Sequence, residues 1–225
     1  CSRDVYVVVR VAVVIALAAV QHPGARALEA QCVDMLQFGV PDCNVYMDDV
    51  AKWGVDALHR AIEGLRCKTA VHICYGYGIK ANIDWKNSLG SEWRQYEEFL
   101  PALAKSRLDQ VSVECIHSRV PMNLLKLLEG KDVMIGVIDV ASDRIETPEE
   151  IAGVIAEAMK YLPKESLRPC TNCGMPPMPR DLALAQLPSP GPRAPRAPQR
   201  LRPSRTEPPP LPQTDHLPTS PLPAP

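Results

Sequence analysis

An α/β fold on a parallel sheet is the architecture this sequence predicts, and three observations predict it. Five short apolar segments begin near residues 33, 69, 110, 133 and 167. Stretches with helical period separate most of them. The starts recur on average about every 34 residues, the spacing of repeated βα units.

The elements follow in order. Val33–Phe38 is short and apolar and reads as a strand. Tyr46–Leu65 carries Val50, Trp53, Val55, Leu58 and Ile62 on or near one helical face. Thr69–Cys74 is a second strand. Glu92–Lys105 is helical, with Tyr96, Phe99, Leu100 and Leu103 as its buried stripe. Gln110–Cys115 is a third strand, Met122–Leu128 a short helix and Val133–Ile138 a fourth strand. A helix start follows, with Thr147 as N-cap, Pro148 at the first position and Glu150 three after the cap. That helix runs to about Tyr161, and Leu167–Thr171 is a fifth strand.

Parallel strands need crossovers, and the helices supply them. Two architectures fit: a doubly wound sheet and a (β/α)8 barrel. No glycine-rich dinucleotide loop follows any strand, which weakens the first. Five units do not close eight strands, so a barrel would here be incomplete, lacking about its first three strands.

The ends differ from the body. Residues 188–225 hold 14 of the 24 prolines and five Arg against Glu207 and Asp215. This tail lacks a hydrophobic period and is expected to be disordered, with polyproline segments, after a domain over residues 1–187. It could serve a proline-binding module through Pro192–Pro195 or Pro208–Pro210. The favoured reading is a spacer or an out-of-frame translation, and the abrupt change after Leu187 points to the latter. The chain begins at Cys1, so the true N-terminus is expected upstream. Val5–Val20 is nearly all apolar, and Ala25-Arg26-Ala27 resembles a signal-peptidase site. Arg10 interrupts the run, which is also short for a membrane span. A buried helix leading through Ala25–Glu29 into the first strand is the favoured account, with the protein in the cytoplasm.

The net charge is −1, and aromatic residues make up only 5% of the chain. That balance provides no field for nucleic acid or an anionic membrane, and few bases could be stacked. The eight cysteines stand in a body with long strands and amphipathic helices, unlike a small stapled domain. Several lie near His and Glu, which suits reduced thiols or metal ligands.

His72 and Cys74 are two apart at the end of the second strand, so they share a face. Glu114 ends the third strand, and Cys173 follows the fifth. All four therefore fall at the C-terminal ends of parallel strands, where both architectures place their sites. Two thiolates, an imidazole and a carboxylate make a tetrahedral zinc set, and the carboxylate is the ligand most easily displaced. The alternatives are a core histidine at 72, inert buried thiols at Cys74 and Cys115, and a redox pair in Cys170-x-x-Cys173. Prolines rather than a helix follow that last pair, against a thioredoxin-type role. His117 near the rim is either a contact of the site or an exposed loop histidine.

Val71-His72-Ile73-Cys74-Tyr75, then Val113-Glu114, then Asn172-Cys173-Gly174 resemble the catalytic domain of cobalamin-independent methionine synthase. The likeness is closer to the short, single-barrel core-type methionine synthases. It covers about Ala25 to Leu187 and includes Gly76–Asn87, Ile138–Pro148 and Pro169–Met175. The resemblance implies a (β/α)8 barrel and zinc held by His72, Cys74, Glu114 and Cys173. It also implies transfer of a methyl group from a folate or corrinoid donor to the homocysteine thiol, giving methionine.

Two departures stand out. Where the family carries an acidic pair before a proline, whose Asp helps bind the substrate amino group, this chain has Gly39-Val40-Pro41. Where full-length enzymes carry a His thought to protonate the leaving group, it has Ala141. A second reading follows: a non-catalytic barrel fragment that at most binds zinc.

Overall fold

The computed structural model describes residues 18, 21–40, 53–76, 80–116, 118–175 and 178–186. Helix α1 covers 21–29, followed by β1 (Met35–Gly39), α2 (Val55–Ala61) and β2 (Lys68–Ile73). Next come α3 (Lys80–Ser88), α4 (Tyr96–Ala104), β3 (Gln110–Val113), a 3-10 helix (Met122–Leu128) and β4 (Asp132–Ile138). The series closes with α5 (Pro148–Ala158), a 3-10 turn (Lys164–Ser166), β5 (Leu167–Thr171) and α6 (Arg180–Gln186).

The five strands form one sheet in chain order, and every neighbouring pair is parallel. A doubly wound sheet reverses its strand order at a switch point. Here each crossover steps one strand onward in the same direction, which stacks the connections on one face. The sheet is thus the wall of a partial (β/α)8 barrel.

The two faces of the strands differ as period two requires. Val71, Ile73, Val111, Val113, Val133, Ile135 and Val137 point to the helices. They pack against Leu58, Phe99, Leu100, Leu103, Leu128 and Ile151 in one continuous core. The opposite face carries small and polar groups: Ala70 and His72 on β2, Gln110 and Ser112 on β3, Gly136 on β4, Cys170 on β5. Pro101 lies inside α4 without ending it. An interior proline costs about 3 kcal/mol, and burial of Tyr96, Phe99, Leu100 and Leu103 from the same helix outweighs it.

The capping box at Thr147 forms as expected. Its Oγ1 accepts the Glu150 N–H at 3.3 Å, and the Glu150 carboxylate accepts the Thr147 N–H at 2.8 Å. Helix α1 runs through Ala25-Arg26-Ala27, with Ala25 buried and Arg26 donating to the Gly64 carbonyl at 2.7 Å. Residues 21–29 are thus helical, and most of the apolar run Val5–Val20 lies outside the described residues.

Several boundaries move. Strand β1 starts at Met35 rather than Val33, because the chain leaves α1 through a turn with Cys32 at φ 60°. Helix α2 ends at Ala61, ahead of the turn at Gly64 with φ 69°, and the expected Tyr46–Leu65 start lies outside the described residues. Strands β2 and β3 stop at Ile73 and Val113. Tyr96 Oη donates to the Ile73 carbonyl at 2.9 Å and accepts the Glu114 N–H at 3.2 Å, replacing ladder partners at both strand ends. The short helix at Met122–Leu128 is 3-10, and α5 ends at Ala158. Helices α3 and α6 were not expected; α3 is mostly polar and gains a Lys80–Asp84 pair at 2.5 Å and a stack of Trp85 on Tyr75. The proline-rich tail and His117 lie outside the described residues.

Candidate metal centre

His72 is the fifth residue of β2, and Cys74 follows the strand by one residue, so both project from the same face. Cys173 comes from the far end of the sheet, two residues after β5. Neighbouring strands lie about 4.8 Å apart, so β2 and β5 would be about 14 Å apart in a flat sheet. Yet Cys74 Sγ and Cys173 Sγ are 3.5 Å apart. One ligand atom each from His72, Cys74 and Cys173 lies within 4.8 Å of the others. Sheet curvature and a return of the chain after β5 bring them together.

The return is built from short-range bonds. Asn172 N–H donates to the Ile138 carbonyl at 2.9 Å, and Thr171 Oγ1 donates to the Cys173 carbonyl at 2.7 Å. The Asn172 side chain then crosses β4. Its Oδ1 accepts the N–H groups of Cys115 at 3.2 Å and Ile116 at 3.4 Å. Its Nδ2 donates to the Ile116 carbonyl at 2.6 Å. The crossing point is Gly136, where a Cβ would lie 2.0 Å from Asn172 Oδ1. A glycine inside a strand marks such an approach.

The chemistry of the cluster suits a soft divalent metal. His72 Nδ1 is hydrogen-bonded to Ser112 Oγ at 2.9 Å, while its Nε2 is buried with no hydrogen-bond partner. A buried ring nitrogen with no partner is costly unless something is coordinated there. The neighbouring Cys74 thiol first, and then the His72 ring, pull the Cys173 thiol well below its usual range. The Cys74 thiol is pushed up, chiefly because it shares its hydrogen bond with Cys173 and then by burial. These surroundings favour the thiolate at Cys173, the form that binds metal.

Glu114 is brought close but stands apart from the three-atom cluster. It is 2% exposed, and its Oε2 accepts the Tyr75 N–H at 3.2 Å. Tyr75 and Tyr96 are both held protonated, by burial first and then by the Glu114 charge. Cys115 and Cys170 have the character of inert thiols. Burial pushes them up to about 12 and about 11. All six described cysteines, Cys170 among them, are free of disulfides. Cys173 faces Cys74 across the sheet end.

Three residues of the site escaped the sequence reading. Ser112 stands two before Glu114 and so shares its face, a signal that period two could have shown. Gly136 is a glycine in an otherwise apolar strand. Tyr96 was read only as part of a helical stripe. Position 39 is a glycine with open space around its missing Cβ, so nothing in that place supplies the family's carboxylate.

A curved parallel β/α sheet with an imidazole and two thiols converging at its C-terminal edge defines a β/α protein with a candidate metal centre on the barrel rim. A family model described as the catalytic domain of cobalamin-independent synthase matches residues 6–189, and the chain belongs to that family. It is 31% identical over 155 residues to a methionine synthase of Saccharolobus islandicus, covering 68% of this chain and 41% of the relative. A methionine synthase of Sulfurisphaera tokodaii is 27% identical over 172 residues, covering 76% and 45%.

Among solved structures, a B12-independent methionine synthase from Shewanella sp. W3-18-1, in complex with selenomethionine, superposes with a TM-score of 0.74 at 54% identity. The match covers 77% of this chain and 51% of that one. The chain thus spans about half the length of these relatives or less. Among the described residues no helix is long and apolar enough to cross a membrane.

Proposed function

We infer that this chain carries the thiol-activating metal site of a methionine synthase, with zinc held by His72, Cys74, Glu114 and Cys173. The observation that carries the reading is the convergence of the His72, Cys74 and Cys173 ligand atoms within 4.8 Å. Two sulfurs and a nitrogen favour zinc over the harder cations. When bound, the zinc supplies a Lewis acid that lowers the pKa of a thiol, so that the thiolate is the nucleophile at neutral pH.

The remaining work falls to the chain's own residues. Cys74 and Cys173 hold two sulfurs at the rim, where a strand-end site opens to substrate. Glu114, which accepts the Tyr75 N–H, would be the fourth ligand and the one most easily displaced by a substrate thiol. Burial of Glu114 keeps water from competing for it. The substrate is homocysteine, and the methyl donor is a folate or a corrinoid. Reduced thiols suit the cytoplasm. The domain that carries the site is taken to end at 187, where the composition turns proline-rich.

Gly39 and the half-length match to the relatives favour a second reading for this polypeptide alone: it binds zinc without turnover. Metal analysis of the purified full chain, beside a Cys173→Ser variant, tests the common part of both. About one zinc per chain, lost in the variant, is expected. A folded chain without zinc would overturn the metal site. Addition of homocysteine and methyl donors to the loaded chain then separates the two readings by whether methionine forms.

A further inference from the structure

The partner of His72 Nδ1 is a hydroxyl from the neighbouring strand. Register pairs His72 with Ser112, so the two side chains rise side by side from the same face of β2 and β3. Ser112 is 2% exposed, and its Oγ lies 2.9 Å from Nδ1. An imidazole that coordinates through Nε2 must carry its proton on Nδ1 and donate it. A hydroxyl oxygen can accept that proton and still donate its own hydrogen onward.

Gly136 pairs with Cys170 across β4 and β5. On its other side the Ser112 hydroxyl works against the burial that raises the Cys170 thiol. Ser112 is thus held in a buried position on the middle strand of the sheet. Its carrier strand is inextensible, so the ring it holds cannot swing freely about its side-chain torsions.

We propose that Ser112 is a positioning residue of the metal centre, accepting the Nδ1–H of His72 and thereby presenting a bare Nε2 toward Cys74 and Cys173. This rests on the reading of His72, Cys74 and Cys173 as metal ligands. Ser112 itself touches neither metal nor substrate.

The test uses the full chain, its Ser112→Ala and Ser112→Thr variants, and Cys173→Ser as a ligand-loss control. Two quantities are read. The first is the tautomer of His72 in metal-free protein, from the long-range proton–nitrogen couplings of its ring. The second is zinc and Co(II) affinity by competition with a chromophoric chelator. Wild type and Ser112→Thr should show the Nδ1–H tautomer. Ser112→Ala should lose it and bind zinc about 10- to 100-fold more weakly, with its unfolding midpoint near that of wild type.

A Ser112→Ala chain that keeps both the Nδ1–H tautomer and wild-type affinity would overturn the proposal while leaving the metal site standing. A Ser112→Thr chain as weak as Ser112→Ala would also overturn it, because packing rather than the hydroxyl would then be responsible. If wild type and Cys173→Ser both bind no metal, the site reading itself fails, and the role of Ser112 toward a metal fails with it.

Discussion

Gly136 and Asn172 share one volume: the side chain of Asn172 occupies the space that any β-carbon at 136 would fill, 2.0 Å from Asn172 Oδ1 and 2.7 Å from its Cα. The bonds of Asn172 to Cys115 and Ile116 pass through this gap. They fold the end of β5 over β4 and deliver Cys173 to Cys74.

Gly136→Ala is therefore expected to destabilise the chain by about 3 kcal/mol or more, because backbone as well as side chain must give way. It should also abolish zinc binding, since Cys173 moves with Asn172. Urea unfolding and metal analysis check both. Wild-type zinc content in the variant would show that the return loop does not depend on this gap.

The sulfurs of Cys74 and Cys173 stand 3.5 Å apart, and a disulfide needs about 2.05 Å. Diamide, which takes up two hydrogens, should oxidise the metal-free chain to a Cys74–Cys173 disulfide. Zinc should protect, because both thiolates are then committed. Peptide mapping under non-reducing conditions reads the pairing. Preferential linkage of Cys170 to Cys173 would contradict the arrangement.

Tyr96→Phe removes one hydroxyl that serves two strand ends, at the Ile73 carbonyl and the Glu114 N–H. Both backbone groups are buried, so the loss should be about 1–3 kcal/mol. Amide exchange at Glu114 should accelerate more than at Val111, deeper in the same strand. Uniform acceleration would point to a global loss instead.

His59 links pH to stability away from the metal centre. Its Nε2 accepts the Arg107 N–H at 3.0 Å, and burial, then the Arg107 charge, depress its pKa below the ordinary 6.5. The unfolded chain thus binds a proton first on acidification. The contribution is complete above the unfolded value and is lost as pH falls through the folded one. Between about pH 7.5 and about pH 5.5, His59→Gln should lose less stability than wild type. Equal losses would remove His59 from the account.

Thr147→Ala breaks the capping box and should cost about 1 kcal/mol. Zinc affinity should not change, because α5 packs on the helical side of the sheet. Thermal unfolding and chelator competition measure the two separately.

The capping box was legible because all of its parts lie within four residues. His72 and Cys74 were legible for a related reason: strand period alone puts them on one face. Buried residues of α4 could be named from their spacing, as could the apolar strands. Helices α3 and α6 could not, since α3 draws support from Trp85 on Tyr75 rather than from an apolar stripe of its own. Strand ends were misplaced by a residue or two where Tyr96 captures the terminal backbone groups.

The sequence by itself determined the repeating βα order, the faces of each element and the set of candidate ligands, because these depend on neighbours a few positions apart. Only the tertiary structure decided which thiol meets which. Cys173 contacts Cys74, 99 positions away, and not Cys170, three positions away. That choice depends on sheet curvature, a glycine gap and three bonds from the Asn172 side chain to the backbone of Cys115 and Ile116. Contacts across several strands are set by the packed whole, and no local spacing encodes them.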